Sequence, residues 1–188
     1  RVNKTVVLLE TGSSVNVSPW IDSIHSLLVV WYPGCEGGKA IARTLFGEVN
    51  PSGRLPVLFP KSDEQLGEWD VNALAVKHGL FHGYRYLDRI NEKSLFPFGF
   101  GLSYTEFRLK NVFINRKKEC FSVIVVVENV GKVDGDCVPQ LYVSCLNSEV
   151  ERAKKELKGF GRLSLEVNEE MNLEFEVPDA DLCFYDPE

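Results

Sequence analysis

At 188 residues, 44% hydrophobic and 26% charged with a formal charge of −6, the chain is an ordinary globular protein with room for one large domain or two small ones. No basic cluster exceeds the RKK of 116–118 or the AKK of 153–155, and both read as solvated loop charges, which argues against a nucleic-acid surface. The longest apolar runs, LLVVWY and VIVVV, have strand length and are bounded by polar or turn-forming residues, so the reading includes no membrane-crossing segment.

In chain order, TVVLLE (5–10), closed by Thr11-Gly12, reads as a strand buried on both faces of a parallel sheet. Ser18-Pro19-Trp20 reads as an N-cap with proline at the first helical position, starting a short helix through about Ser23. The strand SLLVVWY follows. PGCEGG then turns the chain into a helix from about Gly37 to Phe46, with Ala40, Ile41, Leu45 and Thr44 on one face and Gly47 stopping it. NPSG makes a tight turn before a third extended run, LPVLFP (55–60). Strand, turn, helix, turn and strand in that order predict a βαβ unit with a right-handed parallel crossover.

Residues 61–95 are polar and irregular and read as a long excursion over the surface, and LFPFGFGLSYTEF reads as an aromatic plug between two modules. From Phe107 the pattern is purely β: FRLKNVFIN, CFSVIVVVENVG, CVPQLYVSC, RLSLEV and MNLEFEV, separated by turn signals such as VDGD and VNEE, with DADLCFYD (179–186) expected to begin a last hairpin. This spacing predicts an antiparallel sandwich of immunoglobulin-like type.

Four motifs carry a family resemblance: WYPGCEGG (31–38), LFGEVNPSGRLP (45–56), GYRYLD (83–88) and FPFGFGLSYTEF (96–107). In this order they resemble the C-terminal part of a family 3 glycoside hydrolase. QLYVS (140–144) and KELKGFGRLSL (155–165) are similar to the fibronectin type III-like module of the β-glucosidase and β-xylosidase branch. The resemblance implies an α/β plus all-β chain: an incomplete α/β sandwich with a parallel sheet (1–60), a linker and aromatic hinge (61–103), and a fibronectin type III-like β-sandwich (104–188) short of its last strand pair. The start at Arg1, with neither methionine nor a signal-like segment, and the stop at Glu188 both read as cut ends.

Retaining hydrolysis needs a carboxylate nucleophile and a carboxyl acid/base on opposite sides of the anomeric carbon. The resemblance places the nucleophile Asp in an N-terminal barrel and the acid/base Glu in a segment before TVVLLE, both absent from this sequence. It therefore carries over no catalytic, substrate-binding or metal residue and no cofactor. It implies a β-glucoside or oligosaccharide substrate, with terminal glucosyl or xylosyl units, reached through the full enzyme, and the barrel as a partner; neither nucleic acid nor a membrane is implied. The compartment is left open.

The local candidates have plainer readings. Glu36 stands in a glycine turn after a parallel strand, where ligands often bind, but a carboxylate there also suits the amides of the turn and of the next helix. Asp88 is expected to pair with Arg85 or Arg89. His25, His78 and His82 lack metal-site spacing beyond the four-residue step of the last two, and no HExxH accompanies it. Cys35 has no adjacent base. The GxG at Gly99 and Gly101 and the GCEGG turn lack the context of nucleotide or phosphate loops, and the sequons at Asn3 and Asn16 carry little weight. Cysteines 35, 120, 137, 145 and 183, odd in number and without CxxC, read as reduced core residues, which leans towards a reducing compartment. The competing reading is a non-catalytic carbohydrate-binding or protein-interaction module, with Trp69, Phe81, Tyr84 and Tyr86 as exposed platforms.

Overall fold

The computed structural model describes residues 4–67 and 72–184. Among them the chain divides into two units, each with its own interior. The first comprises Arg1–Val49, Arg54–Gly101 and Ser148–Lys154; the second comprises Asn50–Gly53, Leu102–Asn147 and Lys155–Glu188. The sequence motifs thus cross the structural division: the NPSG turn lies with the second unit, and residues 61–101 with the first.

In the first unit, β1 (Val6–Leu9) and β2 (Ser26–Val29) form a parallel pair with Val6 opposite Ser26 and Leu9 opposite Val29. The crossover between them is long enough for a parallel return and contains a 3-10 turn at Ile21–Ser23. Ser18 does not cap it. The turn is nucleated by Val17, whose carbonyl accepts from the Trp20 and Ile21 amides, while Asn16 Oδ1 accepts from the Ser18 amide at 3.1 Å. Two-sided burial of β1 is not observed: Val6 and Leu8 are 47% and 44% exposed, because β2 flanks one edge only and one face stays open.

Helix α1 (Gly37–Leu45) begins at the glycine turn and ends at Gly47, whose φ of +78° lets the Glu48 amide donate back to the Arg43 carbonyl at 2.8 Å. Its expected apolar face is only partly covered; Ile41 and Thr44 are half-buried, whereas Ala40 and Leu45 are exposed. The third parallel strand is not formed. Leu55 to Phe59 instead runs antiparallel to Phe96–Phe100, with Leu55 N donating to Phe100 O, Gly99 N to Leu55 O, and Phe59 N to Phe96 O, each at 2.8 Å. Glycine-spaced aromatics offered LPVLFP a local partner, so the run never joins the parallel pair and the expected βαβ unit is not built.

Residues 61–95 hold more structure than their polarity suggested. Buried Gln65 accepts from the Lys61 amide at 2.8 Å and donates to Glu92 at 2.7 Å, pinning a 3-10 turn at Asp63–Leu66. The GYRYLD motif is a helix, α2 (Tyr84–Ile90), entered through Gly83 at φ +58° and closed by Asn91 in the left-handed region. Leu87, 3% exposed, is its anchor.

In the second unit, β3 (Phe107–Arg116), β4 (Cys120–Asn129) and β9 (Glu170–Pro178) form an antiparallel sheet with β4 central and a bulge in β3 between Leu109 and Val112. CVPQLYVSC is divided between β5 (Gly135–Cys137) and β6 (Gln140–Val143), since Pro139 cannot donate to a ladder. These pair with β8 (Leu163–Leu165) and β7 (Glu156–Phe160) respectively. Val123, Val125 and Val127 of β4 pack with Cys137, Leu163, Leu165 and Phe175 in the core. The expected hairpin start at 179 is a 3-10 turn, Asp179–Leu182. All five cysteines are free, but only Cys137 is buried, so the core reading holds for that residue alone; Cys35, Cys145 and Cys183 lie on turns that expose them.

Candidate functional site

The best candidate is the end of the parallel pair where both strands finish. There β1 runs into Thr11-Gly12-Ser13 and β2 into Trp31-Tyr32, and the glycine turn leads into α1. Parallel strands present loops and helix N-termini together at this end, which is where open α/β sheets bind ligands.

Two residues shape it. Trp31 has φ +52°, a left-handed conformation that is costly for a bulky side chain and is found where surrounding packing over-determines it. That packing is aromatic: the Trp31 and Phe59 ring centroids lie 6.3 Å apart, Phe59 meets Phe96 edge-on at 6.3 Å, and Phe96 stacks on Phe100 at 5.1 Å. Phe59 is fully buried. The turn at Trp31 sends the next side chain outwards, and Tyr32 is 76% exposed.

Glu36 is placed at the same end, as the residue before α1, but it makes neither of the contacts expected of it. Its side chain caps no helix amide, is 80% exposed, and among the described residues contacts the Lys39 ammonium at 3.9 Å. Glu36 leads directly into the helix, its carbonyl accepting from the Ala40 amide at 3.0 Å, while its carboxylate stays in solvent. Cys35 is exposed beside it.

The remaining candidates lie elsewhere. His25 Nδ1 accepts from the Thr5 amide at 3.3 Å, and His82 Nδ1 donates to the Gly79 carbonyl at 2.8 Å, with the His78 ring 6.0 Å away. Arg89, one of the partners expected for Asp88, pairs with Glu151 at 2.9 Å and covers the Phe81 ring at 4.5 Å. The aromatic platforms expected in the linker are not exposed. Phe81, Tyr84 and Tyr86 are all half-buried, and Tyr84 packs on Phe98 at 5.6 Å, because helix formation turned this stretch inward. Trp69 lies outside the described residues. Tyr32 was missed by sequence reasoning, which took it as the end of a strand; the signal available was the proline and glycine immediately after it.

The second unit carries its polar side chains as structural ties. Asn50 Oδ1 accepts from the Tyr104 amide at 2.8 Å and the Ser103 hydroxyl at 3.0 Å, while its Nδ2 donates to the Asp134 carbonyl at 3.0 Å. The Asp136 carboxyl is lowered from its ordinary value by hydrogen bonds from Ser164 and from Arg162, whose Nε donates at 3.0 Å.

Comparison with known proteins bears on this geometry. Residues 1–104 match the sequence model of the glycosyl hydrolase family 3 C-terminal domain, and residues 137–188 match the fibronectin type III-like domain. The chain is 40% identical to thermostable beta-glucosidase B of Acetivibrio thermocellus, over 96% of its own length and 25% of that protein's. It is 36% identical to a beta-glucosidase of Rhizobium radiobacter over 97% and 24%. Among solved structures, beta-glucosidase 3B from Thermotoga neapolitana in complex with glucose superposes with a TM-score of 0.89 at 32% identity, covering 95% of this chain and 26% of that one. DesR, a beta-glucosidase from Streptomyces venezuelae in complex with D-glucose, superposes with a TM-score of 0.87 at 37% identity, covering 98% and 25%. The chain thus spans about a quarter of the length of the relatives it matches.

Proposed function

The chain belongs to glycosyl hydrolase family 3, and from that premise we propose that it is the supporting C-terminal portion of a β-glucosidase-like enzyme that hydrolyses terminal non-reducing β-D-glucosyl or xylosyl residues with retention. In this reading residues 1–60 complete an α/β sandwich, 61–103 link it onward, and 104–188 form a fibronectin type III-like β-sandwich. The nucleophile and the acid/base belong to other parts of the enzyme, including a barrel domain as partner, and no residue of this chain is catalytic.

The observation that carries the reading is the near-complete coverage of this chain, at 36–40% identity, by one quarter of each of several β-glucosidases. Glu36 supports it: a general acid needs burial or a close partner to keep its proton, and this carboxylate is 80% exposed with its Lys39 contact at 3.9 Å. Half-burial of Phe81, Tyr84 and Tyr86 weighs against an independent carbohydrate-binding module built on the linker.

The test is aglycone release from aryl β-glucoside and aryl β-xyloside, by the 188-residue chain and by the complete gene product. Turnover by the complete product and none by the chain is expected. Turnover by the chain that disappears in Glu36→Gln would make it a self-contained hydrolase.

A further inference from the structure

Asn50–Gly53 belong to the second unit, although the chain on both sides of them, up to Val49 and from Arg54, belongs to the first. The turn between α1 and the run 55–59 is thus held within the all-β half, in a polar seat. Asn50 Oδ1 accepts from the Tyr104 amide at 2.8 Å and the Ser103 hydroxyl at 3.0 Å, and its Nδ2 donates to the Asp134 carbonyl at 3.0 Å. Asp134 is itself fixed, its Oδ1 accepting from the Val167 amide at 3.0 Å. Two residues along the turn, the Ser52 hydroxyl bonds the Asp136 carboxylate, which Ser164 and Arg162 also bond. Asn50 and Ser52 therefore meet Asp134 and Asp136 in steps of two on each chain, the spacing of extended segments lying side by side. Pro51 between them fixes its own φ and biases Asn50 towards extended backbone.

Gly135 is the complementary half of this seat. Its backbone is not left-handed, so conformation does not require glycine there. Space does: a Cβ would collide with Asn50 Nδ2 and lie 3.1 Å from Thr105 Cγ2. The asparagine amide occupies the place that a side chain at 135 would take. We propose that the second unit serves as a clamp for the Asn-Pro-Ser-Gly turn, with Asn50 as the positioning residue and Gly135 as the gap that admits it. Asparagine suits the task because one short side chain presents an acceptor and a donor together. Aspartate would keep the acceptor and set a carboxylate against the Asp134 carbonyl. The clamp gives the all-β half a role of its own, which is to recognise and hold a connection that lies on the chain path of the first unit.

Amide hydrogen exchange of the complete gene product, resolved to Tyr104, reads the seat directly because that amide donates to Asn50. Asn50→Ala should speed Tyr104 exchange by about tenfold and open tryptic cleavage after Arg54, with the ladder between β4 and β9 as protected as in wild type. Asn50→Asp, which keeps the acceptor, should leave Tyr104 exchange near wild type. Gly135→Ala, whose methyl takes the place of the amide, should reproduce the Asn50→Ala pattern while Asn50 remains. The double variant should be no worse than either single one, because both empty the same seat. Wild-type Tyr104 exchange in Asn50→Ala, or additive effects in the double variant, would overturn the proposal. Faster exchange spread through β4 and β9 would overturn it too, by making Asn50 a residue of general stability. An Asn50→Asp as fast as Asn50→Ala would overturn the acceptor as the anchor.

Discussion

Asn129 is fully buried and uses its whole side chain. Its Oδ1 accepts from the Thr105 hydroxyl at 2.7 Å and the Gly131 amide at 3.1 Å, and its Nδ2 donates to the Val133 carbonyl at 2.9 Å and the Leu165 carbonyl at 3.2 Å. Truncation would strand several of these groups away from water, and each unsatisfied buried group costs about 1–3 kcal/mol. Asn129→Ala is therefore expected to destabilise by about 3 kcal/mol, seen as a lower urea midpoint at unchanged slope. A change within about 0.5 kcal/mol would mean that water replaces the amide. Neither this hub nor the one at Asn50 was legible in the sequence. Asparagine beside glycine or proline reads as turn chemistry, and the long-range partners that make it structural are brought there only by the fold.

Along the face of β3, β4 and β9 that points away from the core, charges of opposite sign are laid across the strands. Lys110 contacts Glu170 at 2.6 Å and Glu128 at 3.6 Å, and Lys117 contacts Glu176 at 2.6 Å and Glu174 at 3.1 Å; Arg116, opposite Phe121 and so on the other face, forms a two-pronged pair with Asp179. Hydrogen bonds from Ser122 and Lys117 hold Glu174 below its ordinary 4.5, and the Arg116 guanidinium holds Asp179 below 3.8. Folded-state depression means that this stabilisation is present above those ordinary values and is lost as pH falls through the lower folded ones. Lys110 and Lys117 are raised above 10.5, chiefly by Glu170 and by Glu176 respectively, so their share is complete below 10.5 and is lost as pH rises through the folded values. Thermal stability should thus be flat across neutral pH and fall at both extremes. The pairs are exposed, so added salt should flatten the acid limb; an acid limb indifferent to salt would assign it to other groups. At this scale the sequence was most readable where periodicity and partners are local. The runs that became β3 and β4 found each other across a short turn, whereas β9 reaches β4 only after β5 to β8 intervene. LPVLFP failed because its apolar pattern suits any strand, and the aromatic run 96–100 captured it. Helix α2 was hidden by the surrounding polarity, although Leu87 and the closing Asn91 were its signals.

Each unit leaves part of an apolar face uncovered. In the first, Leu45, Phe46 and Val49 at the end of α1 are 41%, 85% and 40% exposed. In the second, Leu109, Val112 and Ile114 lie opposite Val127, Val125 and Val123, so they share the face that packs the core, yet they are 58%, 59% and 66% exposed. Cross-strand neighbours on one face normally share their burial, and here β4 is covered while β3 is not. The family and the order of its motifs were legible from the chain alone; the open faces were not, because burial depends on what packs opposite a residue and not on the residue itself. Contiguous apolar surface of this kind drives association, and covering one such side chain stabilises by about 1.5–3 kcal/mol. The isolated 188-residue chain is accordingly expected to bind a hydrophobic dye and to sediment as concentration-dependent oligomers. Replacing Leu109, Val112 and Ile114 together by threonine should reduce both signals while β propensity is kept. Co-expression with the remainder of the gene product should reduce them further if the proposed enzyme covers these faces. A chain that stays monomeric at high concentration without binding dye would overturn this expectation.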